Sequence, residues 1–456
     1  MMIFKKTKTL IFLKAIILRW FMNFRLIFNN AKWIIICKVL QSVLQLIIGM
    51  LCARYLGPSN YGLINYAASV FAFVLPVTKL GFDASLVNEY VRHPEKEGEI
   101  MGTSLVMNLI SALFSFGLVT AFVTVFNAGE KETIMVCLLY SIALFCCALE
   151  MTQYWFQYKL LAKYSSVVML IVYIVVAVYR VFLLATDKNV YWFAVTNAID
   201  FGLIGISLVV IYNKLGTQKM SFSFTRAKSL FYNGKHYIIA SLMLVVIQNT
   251  DHIMLTSMID KAENGYYTAA VTCTAITQFV FSAIIDSFRP QILQNKKENE
   301  EAYRKSVSLL YGIITYLAFA QSIAFILFSN WIIMILYGES FVATVPVLRV
   351  LSLYFVFSFM GSVRNVWILA EQKQKYLWII NLSGAILNIV LNSVMIPRMG
   401  AIGAALASFI TQIFVNFILG FLIRPIRESN MLFLQGINPK FLIKENKGLI
   451  SIFKRK

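Results

Sequence analysis

The polar residues that could do chemistry in this chain are concentrated in the apolar stretch 237–259. Its middle carries Gln248, Asp251 and His252, which fall on one side of a helix at about 100° per residue. An ionisable side chain in hydrocarbon costs at least about 2.5 kcal/mol, so Asp251 and His252 should face protein interior or a wet cavity. The pattern indicates either an ion-coupling site or a hydrogen-bonded cluster between helices, and both interpretations stay open here.

Cationic residues in other apolar stretches could bind an anionic substrate. Arg349 and Arg364 are about 22 Å and 60° apart if both lie on one helix, so the two could line one face of a path. The acids Glu150, Asp200 and Asp251 could equally be the structural partners of such cations. The candidate substrate-binding residues are Lys38, Arg54, Arg180, Arg349, Arg364, Gln248 and Asn388.

The chain has no recognisable enzyme motif. It contains no phosphate-binding loop, no H-E-x-x-H sequence and no serine elbow, and it has only 3 histidines. We therefore expect a protein that is not an enzyme, with no catalytic residues, no metal site and no cofactor. Protons or sodium ions are the candidates for coupling, through Asp251 and His252.

The composition places these residues in a membrane. Hydrophobic residues make up 59% of the chain and charged residues 14%, with a mean hydropathy of +0.74. The net charge of +20 is spread between apolar stretches of about 20 residues, which indicates membrane topology and no nucleic-acid partner. All 6 cysteines lie in these apolar stretches without metal-ligand spacing.

Hydropathy predicts an all-α integral membrane protein with about twelve transmembrane helices. Most lysines and arginines lie between helices on one side, so both termini are expected to be cytoplasmic. The twelve predicted helices are 31–53, 61–81, 100–126, 133–156, 166–186, 190–212, 237–259, 265–288, 306–328, 346–370, 377–397 and 401–423.

A weak internal repeat predicts how these helices are organised. Residues 62–67 match residues 265–270, each copy following the first helix of a set of six. The repeat predicts two pseudo-symmetric six-helix lobes around a central cavity. The expected divisions are a basic N-terminal segment at 1–30, an N-lobe at 31–212, a cytoplasmic linker at 213–236, a C-lobe at 237–423 and a basic cytoplasmic tail at 424–456.

Several short motifs resemble one family of transporters. They are ARYLGPSNYG at 53–62, KLGF at 79–82, YWFQ at 154–157, NGYYTAA at 264–270 and LYG at 336–338. Together they resemble the polysaccharide transporter family, the Wzx-type flippases of O-antigen and capsular repeat units. That family belongs to the multidrug/oligosaccharidyl-lipid/polysaccharide flippase superfamily, and the resemblance covers about residues 31–425.

The resemblance implies a function and a setting. It implies a multi-pass protein of the bacterial inner membrane that translocates undecaprenyl-diphosphate-linked oligosaccharide by alternating access, for O-antigen or capsular polysaccharide assembly. Membrane lipid, a polysaccharide polymerase and a chain-length regulator are the implied partners. Cavity cations would offset the desolvation of the diphosphate, while amides and hydroxyls would meet the sugars.

Two alternatives remain at this point. A multidrug or cation exporter of the same superfamily would need acids to dominate its cavity, whereas cations outnumber acids in the predicted spans. An integral membrane glycosyltransferase or polymerase would usually carry a sizeable aqueous domain for its catalytic groups. The predicted loops are short, which disfavours this second alternative.

The predicted topology can be tested with reporter fusions. Because lysine and arginine accumulate on the cytoplasmic side, fusions after Lys219 and after Lys297 should report the cytoplasm. Fusions after Lys131 and after Ser340 should report the outside. A reversed signal at either pair would contradict the twelve-helix arrangement.

Overall fold

The computed structural model describes residues 2–216 and 218–441, apart from the side chains of 2–36, 38, 84 and 276. This part of the chain is almost wholly helical and contains no strand. Nine of its helical segments are long and apolar enough to cross a membrane, and the bent helix Lys261–Glu298 is a tenth.

Two of these segments are long enough to hold two spans each, and each has a break at a glycine. The segment Met2–Lys79 breaks at Gly57, where φ is 70°, and the segment Leu377–Ile413 breaks at Gly400, where φ is 55°. Residues that carry a side chain rarely adopt a positive φ, whereas glycine adopts it readily, so glycine suits both breaks. The predicted all-α fold with twelve spans is therefore confirmed for the part of the chain that the structure describes.

We number these spans in chain order. They are α1 (2–56), α2 (58–79), α3 (Glu97–Phe126), α4 (Lys131–Tyr158), α5 (Ala162–Ala185), α6 (Val190–Leu215), α7 (Phe224–Met258), α8 (Lys261–Glu298), α9 (Glu300–Leu336), α10 (Thr344–Ala370), α11 (377–399) and α12 (401–422). Two further helices, Phe82–Arg92 and Arg427–Gly436, lie outside the spans.

The helices form two compact units. Unit 1 combines the described residues up to Gly49 with Val74–Leu242, and unit 2 combines Met50–Phe73 with the described residues from Met243 onward. Each unit has its own buried apolar core, which includes Trp155 and Phe156 in unit 1 and Tyr311 and Trp367 in unit 2. The lobe boundaries expected from the sequence differ from these divisions chiefly at 50–73.

A pair of glycines explains why Met50–Phe73 belongs to unit 2. A Cβ atom on Gly62 would lie 1.7 Å from the carbonyl oxygen of Lys261, and one on Gly265 would lie 2.1 Å from that of Pro58. The same number of residues separates Gly62 from Gly265 as separates Pro58 from Lys261. The two copies of the sequence repeat therefore pack against each other, and each contributes the same glycine to a pseudo-two-fold contact.

Helix α7 begins at Phe224, well before the predicted start of its span at 237. The added turns dock on unit 1 through three positions spaced one helical turn apart. Arg226 Nη1 donates to Glu89 Oε1 at 2.8 Å, Leu230 is buried, and the backbone of Gly234 packs against the carbonyl of Leu80. Part of the predicted linker 213–236 is therefore helical and attached to unit 1.

The segment expected to be a basic tail begins with a helix that packs into unit 2. In Arg427–Gly436, the hydroxyl groups of Ser429 and Tyr311 lie 2.6 Å apart, and Phe433 packs in the core. Gly436 approaches the backbone of Ser308 so closely that a Cβ atom there would lie 2.1 Å from its carbonyl oxygen. This helix is thus a structural part of unit 2.

The glycine contact predicts a stability effect. Gly62→Ala should destabilise the protein by about 1–3 kcal/mol, because the added methyl must displace the backbone of Lys261. The measurement is the apparent melting temperature of detergent-purified protein. Gly117→Ala is the matched control, since nothing lies within 4 Å of a Cβ at that helical position. Equal melting temperatures for the two variants would contradict the contact.

Candidate functional site

Unit 2 contains a polar cavity of about 550 Å³ that is lined by α7, α8, α10, α11 and α12. Polar side chains from five helices therefore converge on one space. The polar lining residues are Gln248, Thr250, Asp251, His252, Tyr267, Gln278, Tyr354, Ser358, Ser362, Arg364, Asn365, Asn381, Asn388, Ser408, Thr411, Gln412 and Asn416.

The Asp251 carboxylate is buried and accepts three hydrogen bonds from neutral donors. Its Oδ2 accepts from the hydroxyls of Tyr267 at 2.6 Å and Ser408 at 2.7 Å. Its Oδ1 accepts from Nδ2 of Asn392 at 2.6 Å. The carboxylate thus joins α7 to α8, α11 and α12.

Asparagine side chains extend this network. Asn392 Nδ2 also donates to Asn388 Oδ1 at 3.1 Å, and Asn388 Nδ2 donates to Ser408 Oγ at 3.2 Å. Asn392 Oδ1 is buried with no hydrogen-bond partner among the described residues. The result is a closed ring of polar contacts around Asp251 in which one acceptor atom remains unused.

His252 connects the cavity to the glycine contact. Its Nδ1 lies 2.8 Å from Oδ1 of Asn264, whose Nδ2 donates to the carbonyl of Gly62 at 2.9 Å. Because the Asn264 amide nitrogen is committed to that carbonyl, the assigned amide orientation makes Nδ1 of His252 the donor. His252 thereby ties α7 to α8 and, through Asn264, to α2.

Arg364 of α10 is the one arginine or lysine among the described residues that line the cavity. Its guanidinium is buried, and Nη1 donates to the carbonyl of Val415 at 2.7 Å. That carbonyl lies in a π-helical turn of α12, Phe414–Ile418, where the usual helical hydrogen-bond ladder is interrupted. Nε of Arg364 is buried with no partner among the described residues.

The structural interpretation that paired Asp251 with a buried cation such as Arg364 is wrong for the described structure. The acid accepts from three neutral donors and Nη1 of the arginine donates to a carbonyl, so neither is the hydrogen-bond partner of the other. Structural pairing does hold for Glu150 in unit 1, since its Oε2 lies 3.9 Å from Nζ of Lys79.

The predicted site residues separate into those at the cavity and those elsewhere. Gln248, Asp251, His252, Arg364 and Asn388 all line it.

Three of the other predicted cations lie away from the cavity, and the fourth cannot be placed. Arg349 Nε donates to Ser329 Oγ at 2.8 Å, and Arg54 Nη1 donates to the carbonyl of Ile335 at 3.3 Å. Arg180 belongs to unit 1, and the side chain of Lys38 lies outside the described residues. The expected continuous face containing Arg349 and Arg364 is therefore not formed at this cavity.

Sequence reasoning missed several lining residues, among them Tyr354, Asn365 and Tyr267. Tyr354 and Asn365 lie on α10, where the sequence analysis singled out only the two arginines. Tyr267 belongs to the second copy of the repeat, but nothing in the sequence indicated that its hydroxyl binds Asp251.

Twelve apolar helices and a polar cavity inside the spans define a multi-pass membrane protein with a transporter fold. The fold is similar to that of the lipid II flippase MurJ in an inward closed conformation, with a TM-score of 0.68, 17% identity, and coverage of 92% of this chain and 98% of that one. The fold is also similar to that of an inward-facing multidrug resistance MATE family transporter of the MOP superfamily, with a TM-score of 0.68 and 14% identity. This match covers 86% of this chain and 95% of that one.

The family model described as "Polysaccharide biosynthesis protein" matches residues 27–296, more than half of the chain, and the chain belongs to this family. The resemblance to a polysaccharide family expected from the sequence motifs is thereby confirmed.

Two curated proteins are similar in sequence. A membrane protein of Methanocaldococcus jannaschii, described as uncharacterized, is 25% identical over 284 residues, which is 58% of this chain and 54% of that protein. The probable low-salt glycan biosynthesis flippase Agl15 of Haloferax volcanii is 25% identical over 199 residues, 43% of this chain and 42% of that protein. The chain thus spans about half the length of the curated relatives it matches.

The network around Asp251 predicts how substitutions should behave. Asp251→Leu would leave the donors of Tyr267, Ser408 and Asn392 unsatisfied, at about 1–3 kcal/mol each, and should sharply lower the melting temperature. Asp251→Asn should cost much less, because Asn392 can turn its amide and present its unused Oδ1. If the leucine variant has the same melting temperature as the wild type, the network does not stabilise the protein.

Proposed function

We propose that this protein is a flippase for lipid-linked oligosaccharide. The observation that carries the proposal is the amide-rich cavity with its buried Arg364, inside a membrane-spanning unit of a polysaccharide biosynthesis family member. In the finer form of the proposal, the substrate is an undecaprenyl-diphosphate-linked repeat unit for O-antigen or capsule, and the protein acts in a bacterial inner membrane. A polymerase and a chain-length regulator would then act next.

The cavity residues suit a polar cargo. Amides and hydroxyls such as Gln248, Asn388 and Asn381 can exchange hydrogen bonds with sugar hydroxyls, which replaces the water lost when sugars enter the membrane region. Arg364 offers a permanent positive charge to an anionic group. The lipid tail would remain in hydrocarbon, where it needs no polar partner.

Asp251 is suited to couple this cargo to an ion gradient. As a carboxylate it only accepts hydrogen bonds, and it accepts three of them. When protonated, it would have to donate to one of these neighbours, whose hydroxyl or amide must then turn to accept, so the hydrogen bonds between α7 and the helices around it would rearrange. A bound cation would compete for the same oxygens. Either event would change how these helices pack.

The alternatives gain less support from the cavity. A cation exporter needs an accessible acid, yet the one acid among the described lining residues is occupied by three donors. A glycosyltransferase needs a catalytic acid or base beside an aqueous domain, and Asp251 is buried among membrane helices. An absence of sugar transfer by the purified protein would exclude the enzyme alternative.

The direct test of the proposal is transport by the purified protein. Proteoliposomes with a fluorescent or spin-labelled lipid-linked oligosaccharide in the outer leaflet should show protein-dependent movement to the inner leaflet. Empty liposomes and liposomes with heat-unfolded protein are the controls. Equal movement in all three preparations would contradict the flippase proposal.

The coupling role of Asp251 predicts a selective defect. Under an imposed proton or sodium gradient, wild-type flipping should accelerate, whereas Asp251→Asn should flip at a rate independent of the gradient while remaining abundant. Ser408→Ala is a matched control, because it removes one donor to the carboxylate and keeps the acid. Gradient dependence that persists in well-expressed Asp251→Asn protein would exclude coupling at this residue.

A further inference from the structure

The charge balance of the cavity limits which part of a substrate it can hold. Among the described residues that line it, Arg364 is the one permanent cation and Asp251 the one acid. A diphosphate carries at least two negative charges and would have to lose its hydration beside Asp251 with a single cation to offset them. The cavity is therefore poorly matched to the diphosphate of a lipid carrier.

A singly charged anion would leave less negative charge without a counter-ion in this cavity than a diphosphate would. Nη1 of Arg364 is committed to the carbonyl of Val415, whereas Nε is buried without a described partner. A guanidinium binds a planar carboxylate through two parallel N–H groups. Because Nη1 is already occupied, the edge of the guanidinium that contains Nε is the one left to bind a carboxylate. One carboxylate can thus complete the hydrogen bonds of Arg364 and neutralise its charge.

The groups around Arg364 suit a hydroxyl-rich ring. Asn365 follows it on α10, and Gln278, Asn381 and Gln412 line the same cavity from three other helices. Side-chain amides both donate and accept, as sugar hydroxyls do. A volume of about 550 Å³ lies in the range of sites for small molecules.

We propose that the cavity of unit 2 binds a sugar acid, with its carboxylate on Arg364 and its hydroxyls on the surrounding amides. This inference rests on the proposed function only in assigning that sugar to the transported oligosaccharide. It implies that the cargo of this protein contains a uronic acid or a sugar with an equivalent carboxylate, and that the diphosphate is held elsewhere.

The test compares ligands on the wild-type protein, which avoids variants that fail to fold. Detergent-purified protein is melted with sodium glucuronate, glucose or sodium pyrophosphate at matched ionic strength. A ligand that binds only the folded state raises the melting temperature with concentration. Glucuronate should raise it, and glucose and pyrophosphate should raise it less.

Three variants then locate the binding. Arg364→Gln should abolish the glucuronate effect, and Arg364→Lys should weaken it at least tenfold in apparent affinity, because lysine keeps the charge and loses the two-pronged geometry. Arg349→Gln is the control, since this arginine binds Ser329 outside the cavity. Its response to glucuronate should equal that of the wild type.

Three outcomes on the wild-type protein would overturn the proposal. Stronger stabilisation by pyrophosphate than by glucuronate would assign the site to the diphosphate. Equal effects of glucose and glucuronate, or no effect of either, would leave Arg364 as a structural partner of the π-helical turn. Flipping of lipid-linked oligosaccharide in proteoliposomes is measured separately. The melting-temperature results therefore do not decide the flippase proposal, which the transport assay tests on its own.

Discussion

The central constraint on unit 2 is one buried carboxylate inside a membrane-spanning helix. An unsatisfied acid at that depth would be too costly, so Asp251 requires donors from its neighbours. Tyr267, Asn392 and Ser408 provide them from three different helices. The position of α7 relative to α8, α11 and α12 thus depends on the hydrogen bonds of a single residue, and the helices that this residue joins also line the cavity.

Much of the fold could be predicted from the sequence because membrane spans have a strong compositional signal. Apolar length located the spans, and the polar stripe on α7 located the part of the cavity that contains Asp251. The contacts of Arg364 could not be predicted, since its acceptor is a backbone carbonyl exposed by a local π-helical turn. Hydropathy carries no information about such a turn, nor about which helices a given side chain will face.

The weak sequence repeat corresponds to a close contact between its two copies, which the sequence alone did not reveal. Gly62 and Gly265 match in sequence because each must let the backbone of the other copy approach. A reader of the sequence could infer a two-fold relation between the copies, but not that they touch. The contact can be seen only in the tertiary structure. In the sequence, the glycine in each copy is the only sign of it.

The two copies keep this contact and differ in chemistry. The repeat places Ile48 and Gly49 of α1 at the positions of Asp251 and His252 in α7. The first copy therefore has neither the carboxylate that gathers neighbouring helices nor the histidine that Asn264 binds. Because the hydrogen bonds of that carboxylate reach three other helices, this asymmetry gives α7 a role in joining the helices of unit 2 that α1 cannot have.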